Sequence, residues 1–475
     1  MSLTSSSSVT PAFIDLASFD DSEKYMYSLE GMPDYKDAAV YFIRETRKST
    51  WFTQIPVILP QTQGNCDFGS NWSVSVSRNG DYLLNTWLRM SLPVVELTGP
   101  ASVGDFKTIR WTQNLAHALI KEVSFTSNDL EIAKFDNYHL DFWTAFTIPA
   151  GKQEGYIQMI GNTDLINPKK EKIPVAILNL PLPFFFSRDK GLALPTAALP
   201  YTDMKINFTF RDWTELLIID EFDEEGGTGT YISSRPVEQS DLVTTPHLTS
   251  VQVWGTYAIV PNEERKKMAC SVRDMLIEQA QTATIQTFVP EIEPVRSFNL
   301  RFSHPIKVFF FACRNTTIRS QWSNYTAASP IPDPIALGQT RGFLDLDGEL
   351  MNDPISLISL VYENANRLSK MGADYFSLVN PFFNAPVIPL NTGYHCYSYS
   401  LDFINLDPMG STNHAKLNNV SLEICASETV LATTKPYDIN VNNKNNSEQK
   451  FEFIATAVNN NILRVSSGIL VFPYL

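Results

Sequence analysis

The chain has few cysteines, and they form no pattern. Its 475 residues include Cys66, Cys270, Cys313, Cys396 and Cys425, an odd number with no CxxC pair. That excludes a dense disulfide framework or a thiolate zinc knuckle, and it suits free thiols in a reducing compartment. Long apolar runs are also missing. Runs such as 308–313 and 184–186 fall far short of the roughly 20 residues that span a bilayer. The opening residues are serine-rich and lack the charged and apolar regions of a secretory signal, so a soluble, cytoplasmically made protein is expected. Positive charge is in deficit. A formal net charge of −14 argues against a broad nucleic-acid-binding face, so no direct nucleic-acid binding is expected. The small basic group Arg44, Arg47 and Lys48 reads as a solvated strand edge.

Catalytic signatures are absent as well. No Walker loop, GxSxG elbow, HExxH or GxGxxG occurs, and the six histidines are scattered without metal-ligand spacing. Asp345, Asp347, Gly348 and Glu349 imitate the start of a calcium loop, but the glycine comes too early. Asp220, Asp223 and Glu224 could pair as acid and base, yet their acidic, glycine-rich surroundings read as a solvated loop. Asp223, Glu224 and Glu225 are therefore expected as an exposed loop, and residues 435–450 as a second polar loop. The six Asn-x-Ser/Thr sequons read as chance. No catalytic, cofactor-binding or metal-binding residue is expected.

Aromatics and proline are plentiful: 30 Phe, 18 Tyr, 8 Trp and 29 Pro. Such loading favours strands joined by many turns. Period-two alternation is clear at 72–77 and Met204–Phe210, and Asn79-Gly80 between strand-like runs predicts a tight hairpin. The length exceeds what one core supports, so two domains are expected. Parts of the chain also echo one another. Residues 119–130 match 357–368 in the spacing of Leu, Ile, Val and Asn. Residues 76–82 echo 302–308, Met204–Phe210 echoes 397–403, and 257–259 echoes 456–458. The offsets place about 45 extra residues in the first copy, between Leu130 and Met204. The predicted organisation is an N-terminal arm over 1–35, a first all-β domain over 36–262 with an insertion within 131–203, and a second over 263–475.

Longer runs make a family resemblance. Residues 41–48 with 51–56, 78–84, 180–189, 191–196, 271–274, 301–304, 371–379, 410–413, 459–462 and 472–473 closely resemble the major capsid protein of iridoviruses, among the large nucleocytoplasmic DNA viruses. The resemblance implies an all-β double jelly roll, two tandem jelly-roll barrels with an N-terminal arm and long surface loops. It implies a structural protein, not an enzyme, whose homotrimer forms a pseudo-hexagonal capsomer tiling an icosahedral shell over an internal membrane. Expected partners are other copies, neighbouring capsomers, minor capsid or cement proteins and that membrane. The expected location is the virion, after synthesis and assembly in the host cytoplasm. No cofactor is implied.

Two other readings belong to different classes: an all-β glycan hydrolase, and a carbohydrate-binding or receptor-binding protein. The hydrolase needs two anchored carboxylates, and the binding module needs aromatics on one exposed sheet face. Phe184, Phe185 and Phe186, flanked by Pro181 and Pro183, resist an in–out strand assignment. They are expected either at a trimer contact or inside their own barrel.

Overall fold

A computed structural model describes residues 42, 44, 46, 48–99, 105–161, 172–223, 230–327, 352–433 and 449–473. The expected arm over 1–35 and residues 435–448 of the second polar loop lie outside them. Residues 51–475 form one contact unit.

Strand formation follows the sequence period. Met204–Phe210 buries Met204, Ile206, Phe208 and Phe210 and leaves the residues between them half-buried, as a strand with one core-facing side must. It lies inside a sheet ordered Gln61–Gly64, Asn71–Ser75, Met204–Phe210, Ile120–Ser127, Leu130–Phe135. Facing it is a sheet ordered Thr53–Ile58, Thr249–Ile259, Tyr82–Leu92, Ala176–Pro181. Trp72, Val74, Ile206 and Phe208 from one sheet and Leu83, Leu88 and Met90 from the other share one core. A smaller sheet of Thr230–Pro236, Leu217–Asp223 and Asp105–Trp111 flanks them.

The second half repeats the plan. One sheet runs Arg273–Thr282, Phe451–Ser466, Pro305–Asn315, His395–Ser398, and the other Val295–Asn299, Val420–Ala426, Ile355–Tyr362, Ala365–Gly372. Phe309, Phe311, Phe453, Phe298, Leu422 and Ile358 fill the core between them. In both halves the last long strand lies beside the strand on which the chain returns from the opposite sheet, and a hairpin closes that opposite sheet. These are two jelly rolls in tandem, built as pairs of open antiparallel sheets rather than closed barrels.

The echoes fare unequally. Residues 119–130 and 357–368 fall on equivalent hairpins, Ile120–Ser127 with Leu130–Phe135 and Ile355–Tyr362 with Ala365–Gly372. The register differs from the sequence match. The tight turns are Asn128-Asp129 and Glu363-Asn364, all four at positive φ, so Ser127 corresponds to Tyr362. Both turns have the left-handed pair that two-residue hairpins favour. The echo of Met204–Phe210 is wrong: 397–403 starts in the opposite sheet beside Pro305–Asn315, and the true counterpart is Val420–Ala426. The first copy's stretch 136–203 therefore exceeds its counterpart 373–419 by roughly half the 45 residues expected.

The Asn79-Gly80 hairpin is also corrected. Asn71–Ser75 and Tyr82–Leu92 belong to different sheets, and neither Asn79 nor Gly80 has positive φ. The glycine is needed for close approach, since a Cβ there would sit 2.5 Å from Cβ of Tyr257.

Candidate assembly site at the seam between the rolls

The two rolls meet where a helix of the first covers a sheet of the second. Directly after its hairpin the chain enters the helix Asn137–Thr147, whose N-cap Asp136 accepts a hydrogen bond from the His139 amide at 2.8 Å. Tyr138, Phe142 and Phe146, four residues apart, share one face with Trp143. That face lies on Val308, Phe310, Ala312, Ile454 and Val458 of the second roll. The strand Pro305–Asn315 is consequently buried on both sides. Phe309, Phe311 and Cys313 point into their own roll, while Val308, Phe310 and Ala312 point into the seam. Phe310 is the hub, with ring centroids 5.2 Å from Phe146, 5.9 Å from Phe403, 6.3 Å from Phe142 and 6.4 Å from Trp143.

Polar groups cross the same seam. Asp141, fully buried on the helix, accepts at Oδ1 from His117 Nδ1 (2.6 Å) and Asn114 Nδ2 (3.2 Å) within the first roll. Its Oδ2 accepts from Ser323 Oγ (2.6 Å) and Tyr325 OH (2.9 Å) of the second. His117 Nε2 lies 2.7 Å from Tyr156 OH. Burial, with the Asp141 charge second, pushes the Tyr156 and Tyr325 phenols up, so both stay protonated donors. The Asp141 carboxylate fixes Nδ1 of His117 as a donor.

A second ionic group joins Glu278 to Arg188 of the first roll and to Lys307, whose amine bonds Glu278 Oε1 at 2.5 Å and the Asn405 carbonyl at 2.6 Å. Trp322 is held between two guanidinium groups, Arg211 at 3.6 Å and Arg314 at 4.0 Å. Desolvation lowers Arg211 to about 10. His139, stacked on Trp143 at 5.9 Å, is lowered to about 3 by burial and then by the Arg188 charge.

The residues singled out from sequence fall elsewhere. Phe184, Phe185 and Phe186 are 1%, 2% and 0% exposed within the single chain, packed around Phe125 and Phe135. Rings so fully enclosed have no surface to offer another copy, so the direct trimer contact is corrected to the own-barrel alternative. Asp220 is not in a solvated loop. It lies on the strand Leu217–Asp223, 0% exposed, and accepts from Arg110 Nε at 2.6 Å. Asp223 ends that strand, while Glu224 and Glu225 lie outside the described residues. Among the described residues no cluster of three His, Cys, Asp or Glu could hold a metal ion, and no helix is long and apolar enough to cross a membrane.

Sequence reasoning missed the seam, although its signal was present. The unbroken apolar run 308–313 is what two-sided burial of a strand looks like.

Two family models match, "Major capsid protein N-terminus" over 40–260 and "Large eukaryotic DNA virus major capsid protein" over 264–471. The chain is 52% identical to the major capsid protein of Tipula iridescent virus, over 98% of this chain and 97% of that one. This chain belongs to the major capsid proteins of iridoviruses and their large-DNA-virus relatives. Within that family it is also 43% identical to the major capsid protein of Lymphocystis disease virus 1, over 100% of both chains. The fold agrees with a chain of the PBCV-1 virus capsid (TM-score 0.70, 21% identity, 92% of this chain and 100% of that one). The Faustovirus major capsid protein is similar too, with TM-score 0.69 and 12% identity, covering 96% and 98%. As a major capsid protein the chain is a structural component of the virion shell, and it works by assembling with copies of itself.

Proposed function

We propose that the chain forms a homotrimer that serves as a pseudo-hexagonal tile of an icosahedral shell. The observation that carries this reading is the repeated strand order of the two rolls. A shell tile must fill a near-hexagonal lattice, and three copies of a two-roll chain present six similar units. The seam offers a pattern for how one roll grips the next: a helix laid over the outer face of a neighbouring sheet, with a buried carboxylate hydrogen-bonded to both rolls. The trimer places such tiles beside one another over an internal membrane, with minor capsid or cement proteins at their borders.

The test is the native mass of the purified 53.5 kDa chain by light scattering behind a sizing column. The expected result is three times the chain mass, held at micromolar dilution, with a six-lobed outline by electron microscopy. A folded chain that stays single refutes the preformed trimer. At a net charge of −14, contacts between tiles are expected to strengthen with added salt up to moderate ionic strength.

A further inference from the structure

The two rolls are alike in topology but unlike in what covers them. In the second roll, Phe310 is the sixth residue of the eleven-residue strand Pro305–Asn315, and the first roll's helix buries it completely. In the first roll the sixth residue of the eleven-residue strand Tyr82–Leu92 is Trp87. Trp87 also points away from its own core, stacked on Trp254 at 6.0 Å and 12°, and both rings are only half-buried. The strand register sets Ile58, Trp254, Trp87 and Pro181 in one row across the outer face of that sheet. Ile58 and, on the same edge as Pro181, Ile177 are exposed. This row is the first roll's equivalent of the surface that the helix covers in the second.

The covering element has a counterpart too. The first roll's helix follows directly on its hairpin. At the same point of the second roll, after Ala365–Gly372, the chain makes the helical turn Tyr375–Val379 and the short helix Asn380–Asn384. Phe376 faces its own core, whereas Phe382 and Phe383 are 68% and 73% exposed, edge to face at 5.2 Å, beside exposed Val379. Two adjacent phenylalanines this open are unusual on a soluble surface.

Resting on the trimer reading, we infer that Phe382 and Phe383 of one copy dock on the Trp87–Trp254 row of the next copy. The contact repeats between chains what Phe142, Trp143 and Phe146 do on Phe310 within a chain. It is heterologous, knob on one side and platform on the other, and such a contact must close into a ring or run on as a filament. With two rolls per chain and near-six-fold equivalence, it closes after three copies. The aromatic pair acts as the anchor of a larger interface.

The experiment uses the full chain. Native mass is measured for wild type, for Phe382→Ser with Phe383→Ser, and for Trp254→Ser, with circular dichroism as the check of fold. Both variants are expected to stay folded and to dissociate to single chains at concentrations about a hundredfold or more above the wild-type midpoint. As an independent readout, Phe383→Cys with Trp254→Cys in a Cys270→Ser background is oxidised. Disulfide-linked species ending at three chains are expected. A wild-type trimer whose Phe variant keeps the wild-type midpoint, or whose cysteine pair fails to link chains, overturns this contact and leaves the trimer reading standing. A wild type that is single-chain overturns both. Loss of liposome binding by the Phe variant with trimer stability intact also overturns the contact, and assigns the pair to a lipid surface.

Discussion

Removing the Asp141 carboxylate should separate the two rolls energetically, because one side chain satisfies donors from both. With Asp141→Ala, four donors lose their acceptor. Asn114 is only half-buried and can turn to water, and the Ser323 hydroxyl can rotate. His117 and Tyr325 cannot, since each is 1% exposed. At about 1–3 kcal/mol for each stranded donor, the loss is about 3–5 kcal/mol, the range for breaking a buried ionic network. Asp141→Asn should cost far less, about 1 kcal/mol. Its amide oxygen can face His117, and its NH2 can donate to the Ser323 and Tyr325 oxygens once their protons rotate away.

The assay is urea unfolding followed by tryptophan fluorescence and circular dichroism. Wild type should unfold with coincident probes. The alanine variant should show a lower first midpoint and two separated transitions, as the rolls lose their common polar centre. An alanine variant within about 1 kcal/mol of wild type refutes the reasoning. So does an asparagine variant as unstable as the alanine one, because that would make charge rather than donor satisfaction the decisive quantity.

Three further outcomes are expected. Gly80→Ala should lower stability by about 1–3 kcal/mol, because the new methyl meets the Tyr257 Cβ at 2.5 Å while Tyr257 OH is tied to the Ser77 carbonyl at 2.6 Å; an unchanged thermal midpoint would count against that close approach. Stability should fall on acidification below about pH 6.5. Burial holds His139 and His414 neutral in the fold down to about 3 and 4, while the unfolded chain takes up their protons near 6.5. The slope is up to about 1.4 kcal/mol per pH unit for each histidine, and His139→Phe should flatten it in a pH series of unfolding midpoints. Native thiol titration at pH 8 should label Cys270 first, since it is exposed while Cys313 and Cys396 are buried and burial pushes Cys66 up to about 12; rapid labelling of Cys66 would contradict its placement.

How far the sequence could be read depended on whether a signal was local. Alternation in Met204–Phe210 made that strand legible, because burial on one face leaves a period of two. The duplication was legible through the hairpins, though its register was not. Apolar matches fix which strands correspond but tolerate a slip of a few residues, and only the paired positive-φ turns settle it. Asn79-Gly80 misled because the same dipeptide that favours a hairpin also permits a tight corner between sheets, and only the position of Tyr257 distinguishes the two. Asp220 misled for a related reason: Arg110, its partner, lies 110 residues away in sequence. Phe184–186 gave no periodic signal because the chain there leaves its strand and turns into the short helix Phe185–Arg188.

The divergence of the two copies carries the functional argument furthest. Strands Tyr82–Leu92 and Pro305–Asn315 occupy the same place in their rolls, yet one alternates and the other is buried almost throughout. Nothing inside a single roll requires that difference, since both rolls fill their cores with alternate residues of these strands. It arises because the second roll's strand has a neighbour in the same chain, held permanently at high effective concentration. A strand face covered from the moment of folding can carry an unbroken apolar row, as Val308, Phe310 and Ala312 form. A face that waits for another copy must remain soluble as a monomer. Trp87 and Trp254 suit that requirement, with Arg89 and Asn85 exposed beside them, because amphipathic rings tolerate water and still anchor a contact. The asymmetry between two copies of one fold is thus what a chain needs if one of its two roll contacts is made in folding and the other in assembly.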